Sequence, residues 1–128
     1  MSSYYHSKTL NLSIDAAEER VREELKKEGF GVLTEIDVRA TLKKKLDVDV
    51  PPYKILGACN PAFAHKALQT ENKIGTMLPC NVVVQEVDGK VEVAVVDPVA
   101  SMQAVGNESL VGIASEVRDK LKTVLDRL

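Results

Sequence analysis

The stretch NVVVQEVDGKVEVAVV, residues 81–96, predicts two antiparallel strands joined by a tight turn. Asp88-Gly89 is a favoured pair for a two-residue hairpin turn of the primed type, in which the central residues take a positive φ. A turn at this pair sets the register of the two strands and places valines opposite each other on one face, which we expect to face the core. The paired positions are Val84 with Val93 and Val82 with Val95.

Three segments upstream of the hairpin have the composition of strands, and they cover residues 3–10, 30–36 and 53–59. A long amphipathic helix is predicted between the first two, because Ser13 can cap its start and Gly29 can close its end. A second long helix is predicted from near Asn107 to the last residue. Its apolar residues recur every three or four positions, which is typical of a helix face that packs against the rest of a protein. These residues are Leu110, Ile113, Val117, Leu121, Leu125 and Leu128.

Short helices are predicted after two of the strands. Asp37 can cap one of them, and Asn60-Pro61 has the pattern of a helix start, with asparagine at the cap and proline at the first helical position. Asp97-Pro98 repeats that pattern and opens a short turn that Gly106 ends. The segment NKIGTMLP, residues 72–79, is expected to be irregular.

The order of elements indicates an α+β fold, in which an antiparallel sheet is covered on one face by two long helices. The short helices are inserted between strands 2 and 3 and between strands 3 and 4. The length of 128 residues fits one domain, residues 1–128.

Composition excludes several classes of protein. The chain has 17 basic and 19 acidic residues and a formal charge of −2, which gives no general attraction to nucleic acid or to an anionic membrane. No apolar run approaches the roughly 20 residues that span a bilayer, and the first ten residues lack the apolar core of a signal peptide. We therefore expect a cytoplasmic protein with reduced thiols.

The two cysteines, Cys59 and Cys80, end the third strand and begin the fourth. If these strands are antiparallel neighbours, both cysteines lie at the same end of the sheet. The hairpin register, extended by two residues, also places Asp97 opposite Cys80, and His65 lies on the helix that follows Cys59. The candidate site therefore contains Cys59, Cys80, His65, Asp97 and Asn60.

Each candidate also has a structural explanation. Cysteine often packs as a small apolar residue, Asn60 and Asp97 sit at helix caps, and a histidine midway along a helix is commonly solvated. As a metal site the set offers mixed sulfur, nitrogen and oxygen ligands, but the spacing of 20 residues between the cysteines matches no standard zinc pattern. As a nucleophile, Cys59 is favoured over Cys80 because a helix begins directly after it.

The runs GFGVLTEIDV, YKILGACNP, AHKAL, IGTMLPCNVVV and VDP together resemble a widespread bacterial and archaeal family, domain of unknown function 302. The resemblance covers nearly the whole chain. It implies a β-α-β4-α core similar to the fold class of the TATA-box-binding protein, with strands 2 to 5 antiparallel, and it implies a homodimer. It implies no reaction. The family pattern falls on Gly57, Cys59, Asn60, Pro61, His65, Pro79, Cys80, Asn81, Asp97 and Pro98.

Three functions are consistent with these features. The first is a small binding module whose site near the cysteines holds a metal ion or another small ligand. The second is a dimeric interaction module in which the cysteines only pack, and the third is a thiol-redox protein that uses Cys59. The sequence favours binding over catalysis. Because Leu125 and Leu128 lie at the end of the chain, where a helix normally frays, we also expect that end to support a dimer contact.

Overall fold

The fold is built around a five-stranded antiparallel sheet in which the hairpin strands occupy central positions. A computed structural model describes residues 3–128 of the chain. The strands run in the order β1-β5-β4-β3-β2. The bounds are β1 Tyr5–Leu10, α1 Ile14–Lys27, β2 Gly31–Asp37, α2 Val38–Leu46, β3 Tyr53–Cys59, α3 Pro61–Thr70, β4 Cys80–Val87, β5 Lys90–Val96, α4 Pro98–Gln103 and α5 Leu110–Asp126, with a 3₁₀ helix at Ile74–Met77. This arrangement confirms the α+β prediction.

The β4–β5 hairpin has the register that the sequence predicts. Val84 pairs with Val93 and Val82 with Val95, and all four side chains are buried. Asp88 and Gly89 have φ values of 51° and 77°, as the primed turn requires. The valine face packs on α1 and α5 and forms the main core, and within residues 3–128 no long helix packs on the opposite face of the sheet.

The turn conformation leads to a prediction for Gly89. We expect Gly89→Val to lower the free energy of unfolding by about 1–2 kcal/mol, because a β-branched residue resists a positive φ. Gly89→Asn is the matched control, since asparagine tolerates that conformation and no atom lies within 4 Å of an added Cβ there. Urea denaturation compares the two variants, and equal losses of stability would contradict the turn assignment.

The predicted caps of the first helices are present. The Ser13 hydroxyl accepts a hydrogen bond from the amide of Ala16 at 3.2 Å, and Asp37 accepts one from Ala40 at 2.9 Å. Gly29 has a φ of 84° just beyond the end of α1. α1 and α2 therefore begin where a side chain satisfies free backbone amides of the first turn.

The region after β5 differs from the prediction in two ways. A six-residue helix, α4, replaces the expected short turn, and α5 begins at Leu110 rather than near Asn107. Asn107 instead accepts a hydrogen bond from the amide of Ser109 at 3.0 Å and donates to the carbonyl of Thr70 at 3.3 Å. Its side chain therefore fastens the loop before α5 to the end of α3.

The end of α5 packs on the chain's own core. Leu125 is buried in the main core, and Leu128 is partly buried against it. α5 also packs against α1. The two leucines therefore have a partner within the chain, and the expected dimer contact at this end is not needed to explain them.

The described part of the chain contains no helix that is both long enough and apolar enough to cross a bilayer.

Candidate functional site

Strand pairing brings the two cysteines to the same end of the sheet. β3 and β4 are antiparallel neighbours, and Ala58 pairs with Cys80, so Cys59 lies one residue from the partner of Cys80. The antiparallel arrangement predicted for these strands is confirmed. Neither cysteine forms a disulfide, and both side chains are partly exposed.

Both cysteines line one recess between the sheet end and the helices α3, α4 and α5, which we call the cysteine pocket. Its cavity volume is small, about 50 Å³. Its lining is almost wholly apolar, and Asn60 contributes the one amide. The lining residues are Phe30, Ala58, Cys59, Asn60, Phe63, Ala64, Ala67, Leu78, Pro79, Cys80, Pro98, Met102, Leu110, Ile113, Ala114 and Val117.

The chain directions around β3 shape this pocket. β3 ends at Cys59, and Pro61 starts α3 almost at once, so Phe63 and Ala67 cover the space beyond the strand end. The ammonium of Lys66 lies over the ring of Phe63, with Nζ 5.6 Å from the ring centroid. The pocket is therefore formed by residues that are distant in sequence and meet only in the fold.

Asn60 occupies the cap position of α3 but does not cap it. Its Nδ2 donates a hydrogen bond to the carbonyl of Glu28 at 3.3 Å, and its side chain makes no bond to the first turn of α3. The amide instead packs against Gly29, where an added Cβ would lie 3.1 Å from Nδ2. The predicted capping bond is wrong because the end of α1 lies within reach and its carbonyl needs a donor.

Asp97 is buried but bonds away from the cysteines. One carboxylate oxygen accepts from the amides of Val99 and Ala100 at 2.9 and 3.4 Å, which confirms the predicted cap. The other lies 3.0 Å from Nε2 of His6 on β1. The hairpin pairing ends at Val82 and Val95, so the extended register that placed Asp97 opposite Cys80 is not formed.

His65 lies on the exposed side of α3 and does not line the cysteine pocket. Within residues 3–128, no three histidine, cysteine, aspartate or glutamate side chains come close enough together to hold a metal ion. The structure thus brings Cys59, Cys80 and Asn60 to one pocket and leaves His65 and Asp97 outside it.

Burial controls the protonation of both thiols. It raises the pKa of Cys59, and it raises the pKa of Cys80 to about 11, with a further contribution from the nearby charge of Cys59. In the part of the chain that the structure describes, no cation or hydrogen bond lowers the pKa of Cys59, although α3 begins two residues later at Pro61. Both thiols are therefore protonated near neutral pH, which disfavours the thiol-redox interpretation because the thiolate is the reactive form.

These pKa values predict slow and strongly pH-dependent alkylation. At pH 7 we expect iodoacetamide to modify Cys80 far more slowly in the folded protein than in the urea-unfolded chain. The rate should rise about tenfold for each pH unit below the pKa, since the thiolate fraction rises in that way. Mass spectrometry of pulse-labelled peptides measures each cysteine separately, and equal folded and unfolded rates at pH 7 would contradict the shift.

Several residues of this region were not identified from the sequence. Phe30, Phe63 and Met102 line the cysteine pocket, and His6 bonds to Asp97. Phe63 could have been found, because residues 63, 64 and 67 share one face of α3 at helical spacing. No local signal points to Phe30, Met102 or His6, since each reaches its partner only through the tertiary fold.

Comparisons with known proteins give a family and a fold. A sequence model of the family described as domain of unknown function DUF302 matches residues 6–128. The chain is similar to the crystal structure of an uncharacterised conserved DUF302 protein from Bacillus stearothermophilus, with 30% sequence identity and a TM-score of 0.93. That similarity covers 98% of each chain. No curated protein matches the chain.

Proposed function

We propose, from the premise that this chain belongs to the DUF302 family of domains of unknown function, that it is a binding module whose ligand occupies the cysteine pocket. Family membership assigns no reaction, so the geometry of the pocket supports the proposal. The observation that carries it is the convergence of Cys59, Cys80, Phe30 and Phe63 on one apolar recess that the chain's own side chains leave unfilled.

The size and lining of the pocket limit its ligand to a single atom or a few non-hydrogen atoms. Its cavity volume of about 50 Å³ is well below the roughly 300–1,000 Å³ of typical ligand sites, and it shares with them a mainly apolar wall with few polar groups. Catalysis is less well supported, because the protonated thiols lack a neighbouring cation that would activate them. A reducing, cytoplasmic location agrees with two free thiols.

A pair of substitutions on α3 tests the pocket. Ala64 lines the cysteine pocket, whereas Ala62 is exposed on another side of the same helix. We expect Ala64→Phe to fill the recess and to weaken binding of xenon, an apolar probe small enough for it, by about tenfold or more, equivalent to 1.4 kcal/mol. Ala62→Phe should bind xenon like the unaltered protein, as measured by xenon NMR, and equal binding by both variants would contradict the proposal.

The uncovered sheet face supports a second candidate, a dimeric interaction module. The long helices pack on the other face, which leaves apolar side chains such as Tyr5 and Ile36 at 41% and 48% exposure. Val83, at the centre of this face, pairs with Ile55 and Ala94 on the flanking strands. We propose that a second copy of the chain packs here, sheet against sheet.

The size of this face fits a small dimer interface. Five strands of about seven residues make a surface of roughly 24 by 23 Å, or about 550 Å², which is below the roughly 800 Å² that each partner buries in a standard interface but reaches the total of about 1,000 Å² that a specific interface needs. Lys90 and Glu92 carry opposite charges on this side of the sheet, so two copies need not repel each other.

Light scattering tests the dimer. We expect the unaltered protein to have twice the mass of the chain at micromolar concentration and Val83→Glu to be a monomer, because a charge would be buried without a partner. Val111→Glu is the control, since Val111 is 54% exposed on α5. A monomeric unaltered protein, or a dimeric Val83→Glu variant, would contradict this interface.

A further inference from the structure

Helix α3 covers one side of the cysteine pocket but buries little of its own surface. Phe63, Ala64 and Ala67 line the pocket from this helix. The structure describes all ten residues of α3, and only Ala67 is buried among them. The helix packs mainly on α5 and on the 3₁₀ helix rather than on the sheet. A helix with so little buried apolar surface can leave the rest of the fold locally, without global unfolding.

The first end of α3 is fixed to the sheet and to α1. β3 ends at Cys59 and α3 begins two residues later at Pro61, so the backbone itself ties this end to the sheet. Between these residues, Nδ2 of Asn60 donates a hydrogen bond to the carbonyl of Glu28, beyond the end of α1. This end of the helix therefore serves as a pivot.

The second end of α3 is held by the side chain of Asn107, in the loop before α5. Its Nδ2 donates to the carbonyl of Thr70, the last residue of α3, at 3.3 Å and to Oε1 of Glu71 at 3.4 Å. Its Oδ1 accepts from the amide of Ser109 at 3.0 Å. The two functions of Asn107 are therefore separate, because the nitrogen holds α3 and the oxygen orders its own loop.

These contacts make α3 a lid that is hinged at one end and fastened at the other. Resting on the proposed function, we propose that a ligand enters and leaves the cysteine pocket when the bonds from Asn107 to α3 break and the helix swings outward about Asn60. The side chains of Ala64 and Ala67 are small, so the lid gives up little apolar contact as it opens. A ligand under the lid stabilises the closed form, and its binding therefore slows opening.

Xenon exchange in the full-length protein tests the lid. Asn107→Asp is the variant of choice, because aspartate keeps the oxygen that accepts from Ser109 and loses the nitrogen that donates to Thr70. We expect xenon to dissociate about tenfold faster from this variant, measured by xenon exchange NMR, and the amides of α3 to exchange with solvent about tenfold faster. Asn72→Asp is the matched control, since Asn72 is exposed just beyond α3 and the substitution adds the same charge.

The outcomes separate this inference from the pocket proposal. If the unaltered protein does not bind xenon, the pocket proposal fails and the lid fails with it. If xenon binds but leaves both variants at the same rate, the lid is overturned and the pocket proposal stands.

Hydrogen exchange of the unaltered protein gives a second test that needs no variant and decides the matter should Asn107→Asp fail to fold. At a xenon concentration of four times its Kd, the amides of α3 should exchange about fivefold more slowly, because only the closed form binds xenon. Equal exchange rates in α3 with and without bound xenon would overturn the lid.

Discussion

Replacing Leu56 with alanine should lower the free energy of unfolding by about 2–5 kcal/mol, the usual range for truncating a buried leucine. Leu56 is 0% exposed and lies on the core face of β3, where it pairs with Val82. The substitution removes apolar contacts and leaves a cavity between the sheet and the helices, because the strand is held on both sides by its neighbours.

Leu33→Ala is the control for this substitution. Leu33 is 69% exposed at the irregularity of β2, where the pairing with β3 shifts between Val32 and Thr34. We expect its loss of stability to be within about 0.5 kcal/mol. Urea denaturation of both variants measures the difference, and similar midpoints for the two would show that the described core is wrong at this strand.

Gly57→Ala should lower the free energy of unfolding by about 1–3 kcal/mol. A Cβ at Gly57 would overlap the hydroxyl of Thr34 and would lie 2.7 Å from Cγ of Pro79. Pro79 directly precedes Cys80 and lines the cysteine pocket, so the forced shift should also weaken binding in the pocket. The reason for glycine here is close packing between strands and not backbone conformation.

Gly31→Ala provides the matched comparison on the adjacent strand. Gly31 pairs with Cys59 in the same sheet end, but no atom lies within 4 Å of a Cβ added there. We expect its stability to change by less than about 0.5 kcal/mol. Equal destabilisation by Gly57→Ala and Gly31→Ala, measured by thermal unfolding, would contradict the close contact at Gly57.

The parts of the fold that the sequence predicts are those with local causes. The Asp88-Gly89 turn sets the register of its own hairpin, and Ser13 caps the helix that it precedes. The antiparallel pairing of β3 and β4 places Cys59 and Cys80 at one end of the sheet, as expected. The turn and the cap depend on a few neighbouring residues, so single-sequence reasoning reaches them, whereas the β3–β4 pairing was predicted from the order of elements and the family resemblance.

The parts of the site that were missed depend on contacts between distant segments. Asn60 bonds to Glu28 at the end of α1 and Asp97 bonds to His6, and each bond spans more than 30 positions in sequence. His65 is a different case, because the helical period places it about 160° from Ala67, on the side of α3 that faces away from the pocket. Helix phase therefore predicts which residues of α3 line the pocket, whereas tertiary pairing decides how Asn60 and Asp97 bond.

Occupancy of the cysteine pocket is the central claim, and backbone amide NMR during titration with dissolved xenon tests it most directly. The account predicts saturable shifts at Cys59, Phe63 and Cys80, with little change at Val83 on the opposite face of the sheet. Shifts centred on Val83, or no saturable shifts at the cysteines, would contradict it.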